Sequence, residues 1–149
     1  MKKILLFIII PILLIGCEKK DIEKKLEKEI VYFQYEYGSG EGFYYTYKIE
    51  NDNNKYIFTK EIFSSNDKSF KKEIDEKVLE ELNKIINDNE IYNWNGFNKS
   101  DDRVLDGSGF TLIIRYNDKS LINAHGYMKY PSNYKEAANK LIEFLNNIQ

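Results

Sequence analysis

The chain has 149 residues, 42% of them hydrophobic and 31% charged, which suits one packed domain and excludes wholesale disorder. Its formal net charge of −2, without a basic patch, argues against a nucleic-acid partner. A single cysteine excludes an intramolecular disulfide, so packing alone has to hold the fold, and the 12 Tyr and 9 Phe favour half-buried sheet surfaces as the place where that packing happens.

Lys2 and Lys3 precede an apolar run over residues 4–15 that only Pro11 interrupts. As a helix the run would reach roughly 18 Å, well short of a hydrocarbon core of roughly 30 Å. Pro11 would break such a helix in any case. A signal-peptide core is therefore expected rather than a membrane span. The run closes on Leu14-Ile15-Gly16-Cys17, which resembles the lipobox of bacterial lipoproteins. That resemblance implies cleavage between Gly16 and Cys17, diacylglycerol on the Cys17 sulfur, and a mature protein held to the outer face of a membrane. One acyl chain anchors only marginally and two or three anchor durably, since each buried CH₂ contributes about 0.8 kcal/mol. Loss of residues 1–16 removes two lysines and leaves 20 basic against 24 acidic groups, about −4. A lone thiol at the mature N-terminus would thereby be capped instead of left reactive.

Residues 18–29 carry ten charges, five of each sign, with Ile22 and Leu26 leading to Ile30 in a narrow apolar stripe. We read 17–29 as a lipidated, solvated tether, with a docking helix as the other reading. The folded domain is expected over 30–149. Val31, Phe33, Tyr35 and Tyr37 alternate with polar neighbours, as do Phe43, Tyr45, Tyr47 and Ile49, so both runs read as half-buried strands. Three glycines between them allow a turn, and Asn51-Asp52-Asn53-Asn54 supplies the next. A third strand is expected over 56–63 and a short fourth over 69–74. Asp75 is placed to cap a helix carrying Val78, Leu82 and Ile85, fading near Asn87. Residues 90–108 read as loop. Phe110, Leu112, Ile114 and Tyr116 alternate again, a turn follows at Asn117-Asp118, and 121–126 returns as a strand. Asn133 and Glu136 form a possible capping box for a last helix with Ala138, Leu141, Ile142 and Leu145 on one side. The order β-β-β-(β)-α-β-β-α predicts an α+β fold, an antiparallel meander with two helices on one face.

Candidate chemistry is sparse. Asp101-Asp102-Arg103-Val104-Leu105-Asp106-Gly107 has the acid density of a calcium loop, yet fails the EF-hand spacing, because Val104 and Ile113 stand where oxygen ligands are needed. A non-standard site on Asp101, Asp102 and Asp106 and a plain Asp-Gly turn are both open. His125 is the single histidine and lacks a neighbouring nucleophile motif or cysteine partner. No catalytic, cofactor or metal residues are assigned; Cys17 is the one assigned site, for lipid. Trp94, Phe97, Tyr127 and Tyr130 are expected to close the end of the sheet, with a surface for a sugar, a peptide or a partner as the other reading. Tyr32 and Tyr44, on outward faces, would form an aromatic patch if the register pairs them.

Trp94-Asn95-Gly96-Phe97, Val104 through Phe110, and Gly126-Tyr127-Met128-Lys129-Tyr130-Pro131 resemble a small domain of Firmicutes proteins, often lipoproteins, with no assigned activity. The resemblance covers about the last third and implies the fold alone. The expected function is a binding or interaction module displayed at the membrane surface. An immunity lipoprotein against an exported toxin is the alternative, and an envelope hydrolase using His125 with the 101–106 acids is a third.

Overall fold

The computed structural model describes residues 28–39, 43–63, 68–101 and 103–148. Four strands come first: β1 (Ile30–Ser39), β2 (Phe43–Asp52), β3 (Lys55–Phe63) and β4 (Lys68–Ile74). Helix α1 (Glu76–Asp88) follows, then a 3₁₀ helix (Ile91–Trp94), a short β5 (Asn98–Ser100), β6 (Gly109–Tyr116), β7 (Leu121–Tyr127) and α2 (Tyr134–Asn147). The fold is α+β, and its sheet runs β4-β3-β2-β1-β6-β7-β5. Every pairing is antiparallel except β5 with β7. β1 is central, joining the N-terminal meander to the later hairpin.

Turn chemistry sets the registers. Asn53 and Asn54 both take positive φ (53° and 66°) between the paired Asp52 and Lys55. This two-residue connection with left-handed central residues is what asparagine tolerates and what strand twist favours. Lys119 takes φ 67° in the β6–β7 turn, where Tyr116 N–H donates to Ser120 O at 3.0 Å.

One sheet face carries Phe33, Tyr35, Tyr47, Ile49, Phe58, Leu112 and Ile114, all fully buried. Both helices cover it, contributing Leu79, Leu82 and Ile86 from α1 and Ala137, Ala138, Leu141 and Leu145 from α2. A bulge between Ile30 and Tyr32 alters the expected pattern, so that Ile30, not Val31, enters the core. The other sheet face carries Tyr32, Gln34, Glu36, Thr46, Lys48, Glu50 and Arg115, and among the described residues no helix lies over it.

Asp75 caps α1 as the sequence implies, its Oδ1 accepting from Val78 N–H at 3.2 Å. The expected capping box of α2 does not form. Asn133 instead uses its amide across the chain, accepting from Trp94 Nε1–H at 2.8 Å and donating to Asn89 O at 2.9 Å. A buried indole N–H needs an acceptor, and that need wins over local capping.

Candidate functional site

The segment read as loop holds a built edge. Glu90 in the left-handed region (φ 53°) turns the chain out of α1, and Ile91 and Trp94 plug the core. Asn95 then docks on β7 through its side chain, Oδ1 accepting from Asn123 N–H at 3.0 Å. Gly96 N–H donates to Asn123 O at 2.9 Å and His125 N–H to Phe97 O at 2.7 Å, after which β5 pairs in parallel. The Asn95 carboxamide thus fills a ladder position that backbone would otherwise take. Gly96 has φ 78° with open space around it, so backbone conformation requires the glycine there. The result is a hollow of about 250 Å³ lined by Asn95, Gly96, Phe97, Asn98, Asn123 and His125. His125 is exposed, as its strand position implied, and its Nδ1 lies 3.3 Å from Thr111 Oγ1.

The acidic loop beside this edge is fastened differently. Asp101 N–H donates to Tyr127 O at 2.9 Å. The Asp101 carboxylate takes Arg103 Nε and Nη2, each at 2.8 Å, and Lys129 Nζ at 3.3 Å. The Arg103 guanidinium holds this carboxyl well below the usual carboxylate range. Tyr127 pins the rest: its hydroxyl accepts from Gly107 N–H at 2.8 Å and faces the carbonyls of Val104 and Leu105 at 2.9 and 3.0 Å. Its ring leans over Gly109, where an added Cβ would stand 3.3 Å from the ring and 2.9 Å from Gly126 O. Asp106 is exposed, and Asp102 lies outside the described residues. Asp101 therefore meets two cations, and His125 meets a threonine; the structure does not join them. Among the described residues no three His, Cys, Asp or Glu side chains gather at metal-holding distance.

The aromatics divide. Trp94 is fully buried and Phe97 packs on the core from its margin. Tyr130 stacks on Tyr134 and Phe110 at centroid distances of 4.6 and 6.0 Å and donates its hydroxyl proton to Ser108 O at 2.7 Å. Tyr127 faces away from the core as the loop's pin. Tyr134 has its hydroxyl 2.9 Å from that of Tyr35, and burial pushes its pKa up to about 12. Tyr32 and Tyr44 do not meet. Tyr32 pairs with Glu50 and Arg115, the guanidinium standing 4.9 Å over its ring. Tyr44, 57% exposed, pairs with Gly38 and Phe63 at the other end of the sheet. The β1–β2 register, running from Ser39 opposite Phe43 to Tyr32 opposite Glu50, keeps Tyr32 and Tyr44 apart, and the β2–β3 register set at the Asn53-Asn54 turn places Tyr44 opposite Phe63 instead.

The chain joins the sheet through a clasp. Lys28 Nζ reaches Asp118 Oδ2 at 3.1 Å and Ser120 Oγ at 3.0 Å. Asn117 N–H donates to Glu29 O at 2.9 Å, Tyr56 donates to Glu29 Oε1 at 2.9 Å, and Asn83 Nδ2 donates to Lys28 O at 3.0 Å. The anchoring residue assigned from sequence, Cys17, lies outside the described residues, as does the tether up to residue 27. Among the described residues no helix is long and apolar enough to cross a membrane. A second, larger cleft of about 660 Å³ runs between Lys72–Ile74 of the β4 edge, the start of α1 and the end of α2. Of its rim charges, Glu73 is engaged by Lys55 at 2.7 Å and Asp75 by the α1 cap, and Lys72 and Glu81 line it as well.

The sequence groups Trp94 with Phe97 and takes His125 apart from them; the structure brings Phe97 and His125 to one edge and buries Trp94 in the core. The missing signal was Asn95, Asn98 and Asn123, which read as loop and strand polarity until parallel pairing brings them together. No known protein family matches the chain, and no curated protein is similar to it.

Proposed function

We propose that this chain is an extracytoplasmic lipoprotein, anchored by lipid on Cys17, whose α+β domain serves as a binding module at the cell surface. The observation that carries the reading is the placement of Gly16-Cys17 at the end of a short apolar run behind Lys2 and Lys3. The domain's side supports it: a hollow lined by three asparagine carboxamides and the His125 imidazole offers hydrogen-bonding groups to a ligand. The clasp at Lys28 and Glu29 supports it too, since a domain fixed to the end of its tether presents a defined face outward.

Cys17→Ala in the native host should abolish labelling by radioactive palmitate and leave protein of precursor mass. Normal processing and membrane retention of that variant would refute the anchor. The binding half is tested separately by a photo-crosslinker placed at Asn98 in intact cells. Specific capture that competing purified domain reduces is expected, and its absence counts against the module while leaving the anchor in place.

A further inference from the structure

We propose that Asn95 is a site of spontaneous covalent modification, an Asn-Gly step that the native edge holds unreactive. It converts to aspartyl and isoaspartyl products when β5 and the approach to it leave β7. The inference concerns the chain's own chemistry and stands apart from both halves of the proposed function.

Asn95-Gly96 is the single Asn-Gly step in the sequence, and every other asparagine is followed by a residue with a Cβ. In such a step the backbone nitrogen of Gly96 attacks Cγ of the Asn95 carboxamide. The new N–Cγ bond closes a five-membered succinimide, and the proton of the Gly96 N–H departs with the carboxamide nitrogen as ammonia. Water then opens the ring at either carbonyl, giving an ordinary aspartyl link or an isoaspartyl one. Glycine favours the attack because no Cβ crowds its nitrogen.

The fold ties down both reacting groups. Asn95 Oδ1 accepts from Asn123 N–H at 3.0 Å, and Gly96 N–H donates to Asn123 O at 2.9 Å. One β7 residue thus holds the electrophile by one backbone group and the nucleophile by the other. The backbone is also set against closure. Ring closure eclipses Cβ with the following nitrogen, which for an L-residue requires ψ of about −120°. Asn95 stands at ψ 128°, a turn of about 110° from that value. Such a turn swings Gly96 away from Asn123 and carries Phe97 with it, so the edge has to detach. Detachment breaks the His125 N–H bond to Phe97 O at 2.7 Å and the pairing of Asn98–Ser100 with β7. It also lifts the Phe97 ring from Phe110, 6.2 Å away between centroids. Asn95 and Gly96 are themselves exposed, so water is at hand and the protection is conformational. Reaction proceeds from the open state alone, at the unfolded rate multiplied by the fraction of time spent open. The outcome is one-way. An isoaspartyl link adds a carbon to the main chain just ahead of β5 and shifts Phe97 O and Asn98–Ser100 out of register with β7, so an edge opened long enough stays open.

The test follows residue 95 by peptide mapping with mass spectrometry in the isotope-labelled protein at neutral pH, with and without urea. Gly96 N–H is both the nucleophile and a reporter of hydrogen exchange, so one opening equilibrium governs both reactions. In urea, residue 95 is expected to convert faster than any other asparagine. In the folded protein its conversion should slow by the same factor as Gly96 exchange, at least about tenfold, since opening gives up two hydrogen bonds at Asn123. Phe97→Ala removes the ring that pins the edge and should raise both rates by one shared factor. If that variant does not fold, urea below the unfolding transition opens the edge and supports the same comparison. Equal conversion in folded and unfolded chains overturns the proposal, as does Gly96 exchange that rises without conversion following it. Failure of residue 95 to lead the asparagines in urea overturns it too. Palmitate labelling of Cys17 and crosslinking from Asn98 are untouched by any of these results.

Discussion

Thr59 is 6% exposed, although it points to the sheet face opposite α1 and α2, and its hydroxyl has no hydrogen-bond partner among the described residues. Its direct cross-strand neighbours are Lys48 and Lys71, residues whose aliphatic stems shade adjoining surface. A shaded hydroxyl without a partner loses hydration and gains nothing in exchange. Thr59→Val keeps the β-branched shape and removes that loss, so urea denaturation should show a gain of about 1 kcal/mol. Asp118 is governed by its bonds in the opposite sense. Hydrogen bonds from Ser120, then the Lys28 ammonium, hold its carboxyl down to about 2, below the ordinary value of about 3.9. A carboxyl depressed on folding contributes stability above its unfolded value and loses it as pH falls through the folded one. The Ser120 amide should therefore stay protected from hydrogen exchange at pH 5, lose protection between about pH 4 and about 2, and show no such step in Asp118→Asn.

At the scale of elements, the two helices begin in contrasting ways. α1 has a side-chain cap that the sequence announced, and Asp75→Ala should cost about 1 kcal/mol in thermal or chemical denaturation. α2 begins at Asn133 without one, so Asn133→Ala acts on Trp94 and Asn89 instead. It should lower stability by about 1–3 kcal/mol and alter Trp94 fluorescence, which a lost cap would leave alone. This contrast marks what could be read in advance. β1 to β3, β6, β7 and both helices were legible, because burial on one face stamps a period of 2 or 3.6 onto Phe33-Tyr35, Tyr45-Tyr47 and Leu79-Leu82. β5 was not, since Asn98-Lys99-Ser100 is exposed throughout and is a strand only because β7 lies beside it. The bulge at Ile30 and the use of Asn133 were hidden for the same reason: each answers a partner distant in sequence. Of the candidate site, His125 and Phe97 could be noticed as residue types, whereas the convergence of three asparagines required the fold.

For the whole molecule, β1 is the seam. Its partners are β2, which follows directly, and β6, which begins about seventy residues later, so nearly half the chain must be placed before the centre closes. Phe33 is fully buried at that seam, facing Ile49 on one side and Ile114 on the other. Phe33→Ala should cost about 3–5 kcal/mol. Circular dichroism and Trp94 fluorescence should lose their native signals at one shared midpoint, and separated midpoints would show that the halves fold independently. The clasp of Lys28 and Glu29 onto residues 56, 83 and 117–120 also decides how the molecule would bear a pull. Tension arriving along the proposed tether would first meet that knot of hydrogen bonds and then run lengthwise into β1. Its two antiparallel flanks would share the load in shear, many backbone bonds at once, instead of parting one by one as a zipper does. A load taken at the β7 edge would draw against the same rows, so the strands between would act as a strut.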